Sequence, residues 1–274
     1  MIRIFICFAA LLVCFTNTPE SAQAKTVLVT GSNRGIGLEF IAQYAADGWD
    51  VIATSRSPGD DEDLKALAAS HANITIEQLD VANLDHIAAL AKKYDGTAID
   101  VLINNAGMIG DHPRQAWGNL DKDLFDQIMA VNVFGPLKIS ESFTPHIAAS
   151  EEKKIIVISS ASGSIASVRN PPGTPYYSIS KAAVNMAMRG TAMRLKDQGI
   201  TVGIFMPGGV DTRMLRQAIG MSKAEAEAAE DFDYRGFTPL TAEQSVSQMR
   251  TIFDRLTLAR SGDFLNYDGA EIPW

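Results

Sequence analysis

Cysteine is almost missing from this chain. Its 274 residues include two, Cys7 and Cys14, both near the N-terminus. From Lys25 onward there is none, so the bulk of the chain has no disulfide and no thiol nucleophile. Histidine is scarce as well. None of His71, His86, His112 and His146 pairs with another at metal-ligand spacing, which argues against a zinc site. Basic runs are absent, and a net charge of −8 argues against a nucleic-acid partner. No apolar run reaches the roughly 20 residues that a membrane helix needs. There is no internal repeat and no low-complexity tract.

What is there begins with a distinct leading segment. Arg3 precedes an apolar run, Ile4 to Phe15, and Ser21-Ala22-Gln23-Ala24 ends in an A-x-A pattern. Residues 1–24 therefore read as a secretory signal peptide, with 25–274 as an exported, periplasmic chain. The other readings are an extra first strand, an uncleaved anchor, or a start assigned too early, which would leave the protein cytoplasmic.

From Lys25 onward apolar strands alternate with helical patterns. Strands are expected at Thr26–Val29, Val51–Thr54, Ile74–Leu79, Ile99–Ile103, Lys154–Ser159, Ile200–Met206 and Asp263–Tyr267. Between them lie helical stretches: Leu38–Ala46, Glu62–Ser70, Asn83–Tyr94, a long one from Asp121 toward Ile147, Tyr177–Asp197 and Thr241–Leu258. This alternation predicts an α/β fold: a single-domain, doubly wound Rossmann fold with a parallel sheet of about seven strands and helices on both faces. Ligands in such a fold bind beyond the C-terminal strand ends. Residues 214–236, acidic and alanine-rich, break the rhythm and read as a lid over the site.

Thr30 to Gly37 (TGSNRGIG) joins the first strand to the first helix. Glycines allow a tight turn and close backbone approach, and the helix start offers free N–H groups to a phosphate. Tyr177 and Lys181 stand four apart at a helix start, which places both side chains on one face. A nearby ammonium favours phenolate, so the pair is expected to lower the tyrosine's affinity for its proton toward working pH. Ser160 follows a strand, where its hydroxyl can meet a carbonyl oxygen or simply form a turn. Asn132 is a poor helix former inside a helix. It reads either as the mark of a bent helix holding a water or as a plain surface residue.

Taken in order, TGSNRGIG, Asn104-Asn105-Ala106-Gly107, Asn132, Ser160, Tyr177-Ser178-Ile179-Ser180-Lys181 and Pro207-Gly208 resemble the short-chain dehydrogenase/reductase family. The ending Gly262 to Gly269, then Ile272-Pro273-Trp274, is similar to its C-factor-type and sniffer-type carbonyl reductases. The resemblance implies an oxidoreductase that reduces a small-molecule carbonyl, with Tyr177 as acid/base and Lys181 tuning it and holding the nicotinamide ribose. Ser160 would orient the carbonyl, and Asn132 would position a relay water. It also implies a dinucleotide held by Gly31, Ser32, Asn33, Arg34, Gly35, Ile36 and Gly37. Asp80 and Val81 would border the adenine, and Asn104, Ala106 and Gly107 the adenosine. Pro207, Gly208 and Thr212 would meet the nicotinamide amide.

An acidic residue about 20 positions beyond the glycines marks an NAD site. Thr54-Ser55-Arg56 offers none, while Arg56 and Arg34 can pair with a 2′-phosphate. NADP(H) is expected over NAD(H). A small-residue face on the Tyr177 helix (Ala182, Ala183, Met186, Ala187, Met193), and family habit, point to a homo-oligomer. The alternative function is a signalling or binding protein that keeps the pocket without turnover.

Overall fold

Seven short segments, the central ones apolar and buried along their length and the edge strand Ile74–Gln78 partly exposed, pair side by side into one parallel sheet. The protein was studied as a computed structural model, which describes residues 24–168, 170, 173–221, 224–225 and 238–274. Residues 1–23 of the expected signal peptide, and most of the expected lid beyond Met221, lie outside the described residues. The strands are β1 (Thr26–Thr30), β2 (Asp50–Ser55), β3 (Ile74–Gln78), β4 (Val101–Asn104), β5 (Lys154–Ile158), β6 (Thr201–Met206) and β7 (Phe264–Asn266). Their spatial order is β3-β2-β1-β4-β5-β6-β7. The fold is the expected single-domain doubly wound one.

The helices are α1 (Gly35–Ala46), α2 (Glu62–Ser70), α3 (Leu84–Lys93), α4 (Lys122–Met129), α5 (Gly135–Ala148), α6 (Pro175–Leu195), α7 (Arg213–Ala218) and α8 (Ala242–Arg255). Both sheet faces are covered, which is why the central strands are apolar along their length, while the edge strand β3 carries Thr75, Glu77 and Gln78. On one face Leu28, Leu102, Ile155 and Val202 meet Ile87 of α3, Phe143 of α5 and Val184 and Met188 of α6. On the other, Val27, Val29, Ile103 and Phe205 meet Phe40 and Tyr44 of α1 and Met249 and Phe253 of α8. Burying each such aliphatic or aromatic side chain is worth roughly 1.5–3 kcal/mol.

The expected long helix from Asp121 is interrupted. Between α4 and α5, Ala130–Phe134 forms a π-helical turn that contains Asn132. Such a turn widens the helix and breaks the regular i→i−4 ladder. Asn132 is buried, so the surface reading falls.

The chain runs outward from β1 to β3 and then returns to place β4 on β1's other side. The loops after β1 and β4 therefore diverge and open a crevice at the C-terminal sheet edge.

Candidate active site

The crevice is held open by a lock between its two loops. The Thr30 hydroxyl accepts the backbone N–H groups of Asn105 and Ala106, each at 3.0 Å. The Asn105 side-chain amide donates to the carbonyls of Thr30 and Gly31, both at 2.9 Å. Gly31 (φ +67°) lies so close to the β4 loop that a Cβ there would come within 2.9 Å of Ala106 Cα. Ser32 is fully buried. Its hydroxyl donates to the Val29 carbonyl at 2.8 Å and accepts the Thr54 N–H at 3.2 Å, so it ties the glycine turn to β2.

This lock leaves the N-terminus of α1 bare. Arg34, exposed and extended, makes no side-chain cap, and the first turn carries no carboxylate. Asn83, Asp121, Thr212 and Thr241 cap α3, α4, α7 and α8, whereas α2, α5 and α6, like α1, have no side-chain cap. Uncapped N–H groups at a helix start want an anion. Gly35 is exposed at that start, and the half-buried Ile36 follows it. A Cβ on Gly35 would come 3.4 Å from the Thr212 methyl, so the β6 end borders the same cradle. Gly37 cannot carry a side chain, since a Cβ would lie deep inside the Gly31 carbonyl oxygen and 2.5 Å from Asn105 Nδ2. The residues present fit a dinucleotide diphosphate.

Beyond β2 the structure adds a residue that the sequence reading omitted. Arg56 is exposed at the end of β2. Yet the carboxylate of Asp61 also reaches this end of the crevice. It accepts the Asn33 amide at 2.8 Å and the hydroxyl of Ser55. Asp80 is half-buried and accepts the Ala82 N–H at 2.9 Å, while Val81 is buried against Gly135 at the start of α5. Asn104 is buried, with its amide donating to Ser140 at 3.1 Å and its Oδ1 without a partner among the described residues.

Asn132, Ser160, Tyr177 and Lys181 converge on the β4–β5 side. Ser160 caps a short 3₁₀ turn, accepting the Ser162 N–H at 3.1 Å. Gly163 in that turn packs so tightly on α6 that a Cβ would meet the Lys181 backbone at 2.7 Å. That approach brings the Ser160 hydroxyl into hydrogen-bond contact with the Tyr177 phenol. Lys181 is buried and donates to the Ile158 carbonyl at 2.9 Å, with its Nζ 5.5 Å from the Tyr177 ring centre. Gly107 lies beside both Lys181 Nζ and Asn132 Oδ1, at 3.8 and 3.5 Å from where a Cβ would stand. The Asn132 side chain is fixed by three bonds: it donates to the Met108 carbonyl (2.8 Å) and to Ser180 (2.9 Å) and accepts the Met108 N–H (2.9 Å).

The electrostatics correct one expectation. Burial pushes the Tyr177 phenol up to about 12, with the Ser160 hydrogen bond pulling the other way. The lysine does not acidify it here. Burial instead brings Lys181 down to about 8. The resting pair is a neutral phenol beside an ammonium that titrates just above neutrality.

At the β6 end, Pro207 and Gly208 are half-buried. The Pro207 carbonyl accepts the Ser245 hydroxyl at 2.6 Å. Gly208 (φ +82°) is wedged between Leu240 and Tyr267. Thr212 spends its hydroxyl on capping α7, accepting the Leu215 N–H at 3.3 Å.

The glycine turn thus meets the Asn104–Gly107 loop, and that loop meets Asn132 and Lys181, with Ser32 and the Asn132 side chain serving as walls. Thr30, Asn105 and Asp61 were missed. Thr30 and Asn105 sat inside motifs already singled out, while nothing in the spacing flagged Asp61.

A doubly wound sheet with an uncapped glycine cradle and a Ser-Tyr-Lys cluster at its switch point defines a dinucleotide-binding oxidoreductase. The sequence pattern of the short chain dehydrogenases matches residues 25–222, and the chain belongs to that NAD(P)-dependent family. It is similar to the short chain dehydrogenase gsfK of Penicillium aethiopicum, 32% identical over 257 residues, covering 91% of this chain and 99% of that protein. The NADPH-bound carbonyl reductase from chicken fatty liver superposes with a TM-score of 0.78 at 30% identity, covering 92% of this chain and 99% of the other. The carbonyl reductase Sniffer of D. melanogaster shares the fold, with a TM-score of 0.76 at 24% identity over 92% of this chain and all of that one (100%). Among the described residues, no helix is long and apolar enough to cross a membrane.

Proposed function

We propose that this protein is an NADPH-dependent carbonyl reductase. The observation that carries the reading is the buried, protonated Tyr177 phenol in contact with Ser160, with the Lys181 ammonium under its ring. When bound, the reduced nicotinamide supplies hydride to the carbonyl carbon. Ser160 holds the carbonyl oxygen, and Tyr177 gives its proton to that oxygen as negative charge develops there. A phenol whose own ionisation is suppressed keeps its proton until a stronger base appears beside it. Lys181 spends one N–H on Ile158 and keeps two for ribose hydroxyls. Asn132 shapes the π-helical turn whose main chain can hold a water behind Lys181. Oxidation of NADPH with a panel of aldehydes and quinones tests the reading. No turnover with any carbonyl, despite dinucleotide binding, would leave a binding protein.

The titration of Lys181 sets a pH dependence. Its ammonium is present below about 8 and lost above it. The kcat for reduction is therefore expected to be level from pH 6 to 7 and to fall as pH rises through about 8. A profile flat to pH 9.5 would show that the lysine charge does not matter.

The preference for NADPH is assigned to Arg56, with Arg34 across the glycine turn. Arg56→Asp is expected to reverse the NADPH/NADH ratio of kcat/KM. An unchanged ratio removes Arg56 from that role.

A homo-oligomer is proposed through α6. Ile179, Met186 and Met193 recur every seven residues on its outer face and are 47%, 72% and 71% exposed. Gly190 between them has open space where a side chain would stand. Such a stripe suits close packing against a second helix. Light scattering at micromolar concentration should give a dimer or larger, and Met186→Glu should shift it toward monomer. Wild type seen only as monomer counts against this surface.

A further inference from the structure

We propose that Asp61 is a specificity-determining residue that opposes Arg56 at the adenosine end of the crevice. It accepts a ribose 2′-hydroxyl and repels a 2′-phosphate, so this chain prefers NADPH over NADH by a narrow margin. The proposal rests on the dinucleotide-dependent reading above.

Three observations carry it. The first is position. A carboxylate that holds the ribose of NAD ordinarily comes from the end of the second strand. Here β2 ends at Ser55 and carries none. The chain then turns through the 3₁₀ segment Pro58–Asp60 and comes back, so that Asp61, six residues on, receives the Ser55 hydroxyl. Its other oxygen accepts the amide of Asn33, which belongs to the glycine turn itself, at 2.8 Å. The carboxylate is thereby fixed between strand end and cradle from a different point in the chain.

The second observation is what Asp61 does not do. It occupies the N-cap position of α2, where an aspartate ordinarily accepts N–H groups of its own helix. It makes no such bond. Its side chain is turned from the helix it would cap and toward the crevice. Each oxygen spends one lone pair on Asn33 or Ser55, which leaves further acceptor capacity for a hydroxyl.

The third is the local charge. Asp60, Asp61, Glu62 and Asp63 are consecutive, and Arg56 and Lys65 are the cations of this stretch. Lys65 donates to the Gly59 carbonyl at 2.7 Å. Glu62 and Asp63 have a local role in the first turn of α2. Asp61 does not share it. A 2′-phosphate, doubly charged or nearly so, would meet Arg56 on one side and this carboxylate on the other. A hydroxyl would meet an acceptor and no repulsion.

The test is direct binding, without turnover. NADPH and NADH are titrated by calorimetry into the full chain, wild type, Asp61→Asn and Asp61→Ala, with circular dichroism to check folding. The wild-type Kd values are expected to differ by less than about tenfold at low salt. Both variants should move the ratio toward NADPH by about tenfold, the size expected for losing one partly screened charge. The shift should shrink as salt is raised. A wild type that prefers NADPH more than a hundredfold overturns the proposal, as does an unchanged ratio in either folded variant. If wild type binds neither dinucleotide, the carbonyl reductase reading fails and this proposal with it. Binding of both with an unmoved ratio overturns this proposal alone.

Discussion

Tyr177→Phe is expected to reduce carbonyl turnover by about 10²- to 10⁴-fold, the usual contribution of a positioned proton donor, and to leave dinucleotide affinity within about twofold. The substitution removes one oxygen from a buried ring. The ring keeps its place at the start of α6, and the Lys181 ammonium keeps its position 5.5 Å from the ring centre. Lys181 also keeps its bond to the Ile158 carbonyl, so the cradle side of the cluster is untouched. What goes is the proton that burial holds on the phenol to about pH 12. Ser160 loses its partner but retains the Ser162 N–H, so the serine turn stays formed. The loss should fall on the chemical step. Single-turnover NADPH oxidation, set beside an NADPH titration of the same variant, separates the two effects. Equal single-turnover rates in wild type and variant would remove Tyr177 from the chemistry.

Much of this arrangement was legible in the sequence because its physics is local. A strand buried on both faces must be apolar along its length, and Val27-Leu28-Val29 and Ile155-Ile156-Val157 show that directly. Glycines that a backbone requires are visible as glycines. The Tyr177 to Lys181 interval, one helical turn, is enough to place both on one face. The rest depends on where the chain returns after a turn. The carboxylate of Asp61 reaches β2 only because Pro58–Asp60 folds the chain back, and no periodicity encodes that. Proximity of lysine and tyrosine was readable, but not the direction of the proton equilibrium. That depends on desolvation by the surrounding core, and for the tyrosine also on its Ser160 neighbour. Asn132 looked ambiguous because a π-helical turn has no signature beyond one unfavourable residue.

Gly37→Ala should be the most damaging single methyl in the described part of the chain. The glycine stands in the first turn of α1, where alanine is otherwise the better helix former. Propensity alone predicts a small gain. The surroundings reverse the sign. The added carbon would penetrate the Gly31 carbonyl oxygen and stand 2.5 Å from Asn105 Nδ2. Neither neighbour can retreat cheaply. Gly31 is pinned against Ala106 with a positive φ of 67°, and Asn105 bridges the carbonyls of Thr30 and Gly31 at 2.9 Å. Relief therefore requires α1 to lift from the sheet or the lock between the two loops to break. Overpacking of this kind costs about 3 kcal/mol, which for a chain of this size lowers the melting temperature by about 6–12 °C. The displaced α1 start also misaims its bare N–H groups, so dinucleotide affinity should drop at least tenfold even where the variant stays folded. Thermal melts with and without NADPH read both effects. Wild type should gain stability from the ligand by mass action, and the variant should gain little. A variant that melts within 2 °C of wild type and is equally protected would show that the close approach of α1 to the glycine turn is not what the cradle depends on.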